Sequence, residues 1–353
     1  MGTFKAVNYI AFANPGPAGV LYVAEGPAPT PGAGEVLIKV EAAGVCRADT
    51  LQRAGSYPPP PGASPVLGLE VSGTIAALGD ATDGLRAGDR VVALCNGGGY
   101  AEYVAVPYGQ VLPLPSTWSF IEGAGLPENA FTVYDNVFTR ARLQPGETLL
   151  VHGGSSGIGT TAIMFARALG SSAIVTVGSD AKGAACIEYG ANAAINYRER
   201  DFVAEVARLT DGRGVDAILD IVGGDYIARD IECLATDGRI ACIATAGGAS
   251  ATIDIGKLMR RRGTIMGSSL RARTTAEKAA IARSLRERIW PLLEARMAIV
   301  PAIDSLYTFG EAAKAHERME SSRHIGKIVL VPDASQADRS GSQEEDHAPP
   351  KRP

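Results

Sequence analysis

Short runs in which apolar and polar residues alternate dominate residues 3–125. Glu35-Val-Leu-Ile-Lys-Val-Glu-Ala42, Val71–Leu78, Arg90–Leu94 and Tyr100–Val106 carry the two-residue period of strands. Gly and Pro separate the runs, and Gly79–Arg90 reads as a turn-rich connection. Many short strands between turn signals predict a mostly β, barrel-like unit. Near Ile121 the texture changes. Strands then recur about every 25 residues with helical periodicity between them, which predicts parallel βαβ repeats. The predicted strands are Thr148–His152, Ala173–Val177, Ala193–Asn196, Val215–Ile221, Arg239–Ile243 and Gly263–Met266, six in all and enough for a doubly wound sheet. A helix follows over Thr275–Glu294, bent or broken at Pro291. Then come a strand near Ser305–Tyr307, a helix over Phe309–Met319 and a strand over Lys327–Val331. Asp333–Pro353 has almost no apolar residue to offset its ordering entropy and is expected to be a disordered tail.

The turn after the first parallel strand carries the clearest chemistry. Gly153-Gly-Ser-Ser-Gly-Ile-Gly159 leads from Thr148–His152 into a helix with an apolar stripe. Strand, glycine turn and helix together open a dinucleotide-binding βαβ unit. Glycines admit the backbone close to a pyrophosphate, and the helix N-terminus attracts its charge. Gly154, Ser155, Ser156, Gly157, Ile158 and Gly159 are the candidate contacts. Glycine turns also connect elements that bind nothing, but the flanking elements favour the dinucleotide. Short-chain dehydrogenases share this string. They carry it near the N-terminus and use a Tyr-x-x-x-Lys pair, and none of the eleven tyrosines here has Lys four positions on.

Composition narrows the class. A chain of 353 residues, 46% apolar, predicts one or two well-packed domains. With 34 basic and 38 acidic residues, no nucleic-acid or anionic-membrane partner is expected. Five scattered cysteines (46, 95, 186, 233 and 242) suit reduced thiols. No run approaches transmembrane length, and Met1–Ile10 lacks a signal-like pattern, so a cytoplasmic location is expected.

Further stretches carry a family resemblance. They are Gly44-Val-Cys-Arg-Ala-Asp49, Leu51–Ser64, Leu67-Gly-Leu-Glu-Val-Ser-Gly73, Gly97-Gly-Gly-Tyr-Ala-Glu-Tyr103, Pro127-Glu-Asn129, Gly178-Ser179, Asn196-Tyr197 and Ile325–Leu330. With the glycine turn, these resemble the medium-chain dehydrogenase/reductases over nearly the whole chain. Within them, the resemblance is to the zinc-free quinone oxidoreductases, of the tumour-suppressor-inducible NADPH:quinone oxidoreductase type. It implies an α/β protein with a GroES-like, mostly β catalytic domain (1–125 and 270–332) and a doubly wound Rossmann domain (126–269) with a six-stranded parallel sheet. It also implies a homodimer.

Zinc-dependent relatives use a Cys in Gly-Val-Cys, a His in Gly-His-Glu and a third Cys or Asp. This chain has Cys46 but Leu69 at the second position, and nothing near Pro127–Asn129 supplies a third ligand. Catalytic zinc needs three protein ligands, so no metal is expected. Cys46 is read as a small half-buried residue, with a modestly reactive thiol as the alternative. Metal-free hydride transfer suits electron-poor acceptors such as quinones or activated enones. The resemblance makes Tyr57 a cleft residue able to donate to a carbonyl oxygen, or simply a loop-packing tyrosine, and lets Ser156 touch cofactor or substrate. Asn129 and Thr132 resemble contacts to the nicotinamide half. Gly178 occupies the position where NAD enzymes carry an acid, and Ser179, Lys182 and Tyr197 match contacts to a 2′-phosphate, so NADPH is expected despite Asp180. Val222, Ile243, Ser268 and Ser269 stand at cleft-facing strand ends. Lys327 is either a cleft lysine or an ordinary edge-strand charge. Asp49 is read as a helix cap. The expectation is an NADPH-dependent quinone oxidoreductase. An alkenal or enone double-bond reductase is the alternative, as is a cofactor-binding protein with little turnover.

Overall fold

Strands β1 (Val7–Ala11) and β2 (Tyr22–Gly26) form an antiparallel pair at the start of the chain. The structure, a computed structural model, describes residues 6–82, 84–295 and 300–333, and every statement below concerns these residues. β3 (Glu35–Val45) buries Val36, Ile38 and Val40 in one apolar cluster, as its alternating pattern requires. Helix α1 (Arg47–Arg53) follows at once, and β4 (Glu70–Leu78), β5 (Arg90–Leu94), β6 (Tyr103–Pro107) and β7 (Val111–Pro113) complete the antiparallel part. β6 begins at Tyr103, three residues later than the alternation predicts. Tyr100 instead lies fully buried before the strand, where its hydroxyl is needed by a network described below.

Helices α2 (Phe120–Ala124) and α3 (Pro127–Val133) and a π-helical segment over Tyr134–Arg140 lead into the second sheet. There β8 (Thr148–His152), α4 (Gly157–Ala168), β9 (Ser172–Val177), α5 (Asp180–Glu188) and β10 (Ala193–Asn196) form the first half. The second half is α6 (Phe202–Leu209), β11 (Val215–Asp220), α7 (Tyr226–Cys233), β12 (Leu234–Cys242), α8 (Ile255–Arg261) and β13 (Thr264–Gly267). The order β10-β9-β8-β11-β12-β13, parallel throughout, is the doubly wound sheet that six strands predict. Helices cover both faces. Leu149 and Val151 of β8 pack with Ile163 and Phe165 of α4, whereas Leu150 packs with Phe202 and Ile231 on the opposite side. β12 starts five residues before the predicted Arg239. Its register against β11 shifts, because Thr236-Asp237-Gly238, with Asp237 at φ 62°, bulges between paired positions.

The predicted helix over 275–294 divides into α9 (Thr275–Arg288) and α10 (Trp290–Glu294). The break precedes Pro291, which sits in the first turn of α10, where its missing N–H costs nothing. The chain then returns through β14 (Ile303–Thr308), α11 (Ala312–Glu320, after a short 3₁₀ turn) and β15 (Lys327–Val331). β15 lies between β14 and β3, inside the order β14-β15-β3-β4-β5-β7, while β6 also pairs with β3. The edge-strand reading of Lys327 is therefore wrong. The predicted tail lies outside the described residues after Asp333.

A buried polar chain pins α11 to α1. Asp49 accepts the N–H groups of Cys46 (2.8 Å) and Gly68 (3.0 Å) and the Tyr100 hydroxyl (3.2 Å). Asp49 is thus more than a cap. Tyr100 Oη lies 3.2 Å from His316 Nε2, Arg53 Nη1 lies 3.1 Å from His316 Nδ1, and Arg53 also pairs with Glu320. Because Arg53 can only donate, His316 carries its proton on Nε2 and is neutral. Burial, and then Arg53, push His316 down to about 3 from 6.5. A histidine whose folded value is depressed loses stability as pH falls, because the unfolded chain takes up the proton that the folded one refuses. We expect His316→Gln to remove about 1.4 kcal/mol of stability change per pH unit between pH 6.5 and 4 in denaturant titrations. A variant with the wild-type acid slope would show that His316 does not contribute it.

Candidate active site at the junction of the two sheets

The glycine turn is built against its neighbours. The N–H groups of Gly153 and Gly154 both donate to the Thr176 carbonyl, at 3.1 and 3.0 Å, which ties the turn to the end of β9. Ser156 caps α4 by accepting the N–H of Gly159 at 3.0 Å. The remaining N–H groups of the first turn face the open helix end, where the dipole favours an anion. Ser155, buried, offers its carbonyl to the N–H of Gly326 at 2.8 Å, so the turn is joined to the residue before β15. Gly326 has φ 82°, and a Cβ there would meet the Ala302 carbonyl oxygen at 2.2 Å.

That junction delivers Lys327 into the interior at 4% exposure. A Cβ on Gly157 would lie 2.5 Å from Lys327 Cδ and 2.7 Å from Asn129 Nδ2, so these three predicted residues share one spot. Lys327 Nζ is 2.5 Å from Glu70 Oε1 and donates to Cys46 Sγ at 3.4 Å. The Cys46 thiol in turn donates to Glu70 Oε1 at 3.4 Å. Glu70 Oε2 accepts the N–H of Glu128 at 2.9 Å, and the Thr132 hydroxyl donates to Glu128 Oε1 at 3.3 Å. Asn129 is oriented by donating to the Gly125 carbonyl at 3.1 Å.

Burial and charge act against each other in this cluster. Burial opposes the charge on Lys327, but Cys46, Glu70 and Glu128 outweigh it and hold the ammonium above the ordinary lysine range. Burial pushes the Cys46 thiol well up despite Lys327. Cys46 is therefore fully buried and a thiol, which corrects the half-buried reading and removes the reactive alternative. Burial lifts Glu128 to about 7, with Lys327 opposing and Glu70 assisting. Among the described residues, no three His, Cys, Asp or Glu side chains are grouped to hold a metal ion.

A second group surrounds Gly178. Ser179 caps α5 by accepting the N–H of Lys182 at 3.4 Å. A Cβ on Gly178 would lie 3.0 Å from Tyr197 Oη and 3.6 Å from Arg198 Nε. Lys182 Nζ donates to the Ser322 carbonyl at 2.6 Å, across to the turn before β15. His324, 8% exposed in that turn, has no partner at Nδ1 and is pushed down to about 4 by burial and then by Lys182. Asp180 is engaged by the Asn196 amide at 3.1 Å.

The other predicted residues lie along the strand ends. The Val222 carbonyl accepts the N–H of Gly247 (2.7 Å), the N–H of Ile243 donates to the Asp220 carbonyl (2.9 Å), and the Ser268 hydroxyl donates to Asn136 (2.6 Å). Ile158 is half-buried and Ser269 is exposed. Tyr57, also half-buried, is placed with Arg271, whose Cζ lies 5.4 Å from its ring centre. Sequence reasoning missed Glu128 and undervalued Arg271 and Glu70. The signal for Glu70 was present, since it is a lone charge between Val66-Leu-Gly-Leu69 and Val71.

Known proteins resemble this chain in sequence and fold. The Alcohol dehydrogenase GroES-like domain matches residues 32–116, and the Zinc-binding dehydrogenase family matches residues 157–285. Quinone oxidoreductase of Rattus norvegicus is 32% identical over 308 residues, covering 86% of this chain and 91% of that protein. The chain belongs to the quinone oxidoreductase family. That family is part of the medium-chain dehydrogenase/reductase superfamily. Escherichia coli quinone oxidoreductase complexed with NADPH has a TM-score of 0.78 and 28% identity, covering 92% of this chain and 100% of that one. A mycobacterial protein complexed with NADPH reaches 0.81 and 30%, with the same coverage. In this quinone oxidoreductase fold, the GroES-like sheet contributes Glu70 and Lys327, the residue between β3 and α1 is Cys46, and the Rossmann domain contributes the glycine turn.

We expect Lys327→Met to strand the Glu70 carboxylate and to cost about 3–5 kcal/mol in denaturant unfolding. Adding Glu70→Gln should recover more than half of that loss. Simple additivity of the two substitutions would show that the pair is not energetically coupled.

Proposed function

We propose that the protein is an NADPH-dependent quinone oxidoreductase that works without zinc. The observation that carries this reading is the Lys327 ammonium, 2.5 Å from Glu70 and 3.4 Å from Cys46, beside Asn129 and the glycine turn. A fixed cation already answers the buried carboxylate, Cys46 is held as a thiol, and Leu69 offers no imidazole. Such a donor set does not suit zinc.

The residues present fit the dinucleotide. The capped N-terminus of α4, with Gly154, Ser155, Ser156, Gly157, Ile158 and Gly159, would take the pyrophosphate. Asn129 and Thr132 would hold the nicotinamide end, with Lys327 adjoining. Val222, Ile243, Ser268 and Ser269 would line the path between. Gly178 carries no side chain, and Ser179, Lys182, Tyr197 and Arg198 around it would supply hydrogen-bond donors and positive charge for a 2′-phosphate. When bound, NADPH would supply the reducing equivalent. Lys327 would contribute a positive potential, and Tyr57 would donate to the acceptor oxygen. Quinones fit because their reduction needs no Lewis acid. The same reading keeps the domain division at 126 and 269. It also makes the protein a cytoplasmic homodimer, for which the one-sided pairing of β13 and the exposed Ile255 and Met259 leave a surface.

Steady-state oxidation of NADPH and NADH against quinones, enals and alcohols tests this. We expect quinones to be the preferred acceptors, and Lys182→Ala to raise KM for NADPH about 10-fold or more with little effect on NADH. Preference for enals would favour the double-bond reductase, and silence with every acceptor would favour a binding protein.

A further inference from the structure

Two cations enter the interior without a carboxylate to meet them. Arg271 is 7% exposed and Lys278 1%. Among the described residues the other buried cations are paired, Lys327 with Glu70 and Arg53 with Glu320, and so are the half-buried Arg239 with Glu147 and Arg273 with Asp135. Lys278 Nζ donates instead to the Asn96 side-chain oxygen at 2.5 Å and to the Arg271 carbonyl at 3.0 Å. Arg271 Nη2 donates to Gln52 Oε1 at 2.7 Å and to the Asn96 carbonyl at 3.0 Å. All four acceptors are neutral. Arg271 Nε and Nη1 are buried and have no partner among the described residues. Asp49 and Tyr57 act on Arg271, and Glu277 acts on Lys278, only through space. Burial, and then Arg271, bring Lys278 down to about 8. Unpaired buried charge is costly, and two such charges side by side more so.

Their position gives the imbalance a use. Arg271 follows Ser269 by two residues and lies under the Tyr57 ring. It is part of the wall of a cavity of about 710 Å³, with Asn96, Val66, Val104 and the prolines of Pro60–Pro65. Glu35, a carboxylate in the same wall, is held by the N–H of Gly32 at 2.9 Å. The proline and valine walls suit a flat apolar body, the guanidinium suits an anionic oxygen, and the Tyr57 ring stands on the guanidinium just outside that wall.

We propose that Arg271, backed by Lys278, is an anion-binding subsite, and that the acceptor is an aromatic compound bearing a carboxylate. The inference rests on the quinone oxidoreductase reading for the reducible half of that compound. The carboxylate would satisfy the free guanidinium N–H groups, and the Tyr57 ring would shift to cover the aromatic body.

The test uses the full-length protein with NADPH bound. Naphthoate and its neutral analogue naphthylmethanol are titrated by calorimetry, and turnover is measured with naphthoquinone and its carboxylated analogue. We expect naphthoate to bind at least about 10-fold more tightly than naphthylmethanol. Arg271→Met should weaken naphthoate about 10- to 100-fold, leave naphthylmethanol unchanged and melt no lower without ligand, because it removes an unpaired charge. Arg271→Lys should restore part of the preference. Carboxylated naphthoquinone should show the lower KM in wild type only. Equal affinity for the two naphthyl probes in wild type, or a preference that survives Arg271→Met in a folded variant, would overturn the subsite. If naphthoquinone is not reduced by wild type, the quinone reading fails, while the naphthoate titrations still decide the subsite.

Discussion

An ammonium and a carboxylate sealed from water at the junction of two sheets constrain everything around them. Lys327 reaches Glu70 only because β15 is an inner strand, laid between β14 and β3. In the low-dielectric interior neither charge is tolerable without the other. The pair therefore requires that the return of the chain after α10 be docked before the site exists. Around the pair, burial, against the pull of Lys327, keeps Cys46 a thiol and lifts Glu128 to about 7.

The same junction couples the two halves. Gly326 donates to the glycine turn through Ser155, and one residue later Lys327 reaches Glu70. At the other end of the cleft, Lys182 of α5 is anchored on the Ser322 carbonyl. The turn at 322–326 thus touches both ends of the proposed cofactor site.

The fold was readable where period and punctuation agree. The six parallel strands and the order of the two sheets follow from strand spacing, and the split near Pro291 follows from its missing N–H. Boundaries failed where tertiary need overrode local pattern: Tyr100 alternates like a strand residue but is used by Asp49 and His316. The glycine turn was legible because its function demands backbone approach, which writes itself into consecutive residues. The Lys327–Glu70 pair was not, because its members are 257 positions apart and each looks ordinary in its own segment. Arg271 was hidden for the same reason, since only packing shows that no acid lies opposite it.

The central claim is that the cation at this junction belongs to the chain. Protein produced with and without added zinc, then assayed for both metal content and quinone turnover, tests it most directly. The account predicts zinc far below one equivalent per chain in both preparations and the same kcat. Turnover that rises in proportion to stoichiometrically bound zinc would contradict it.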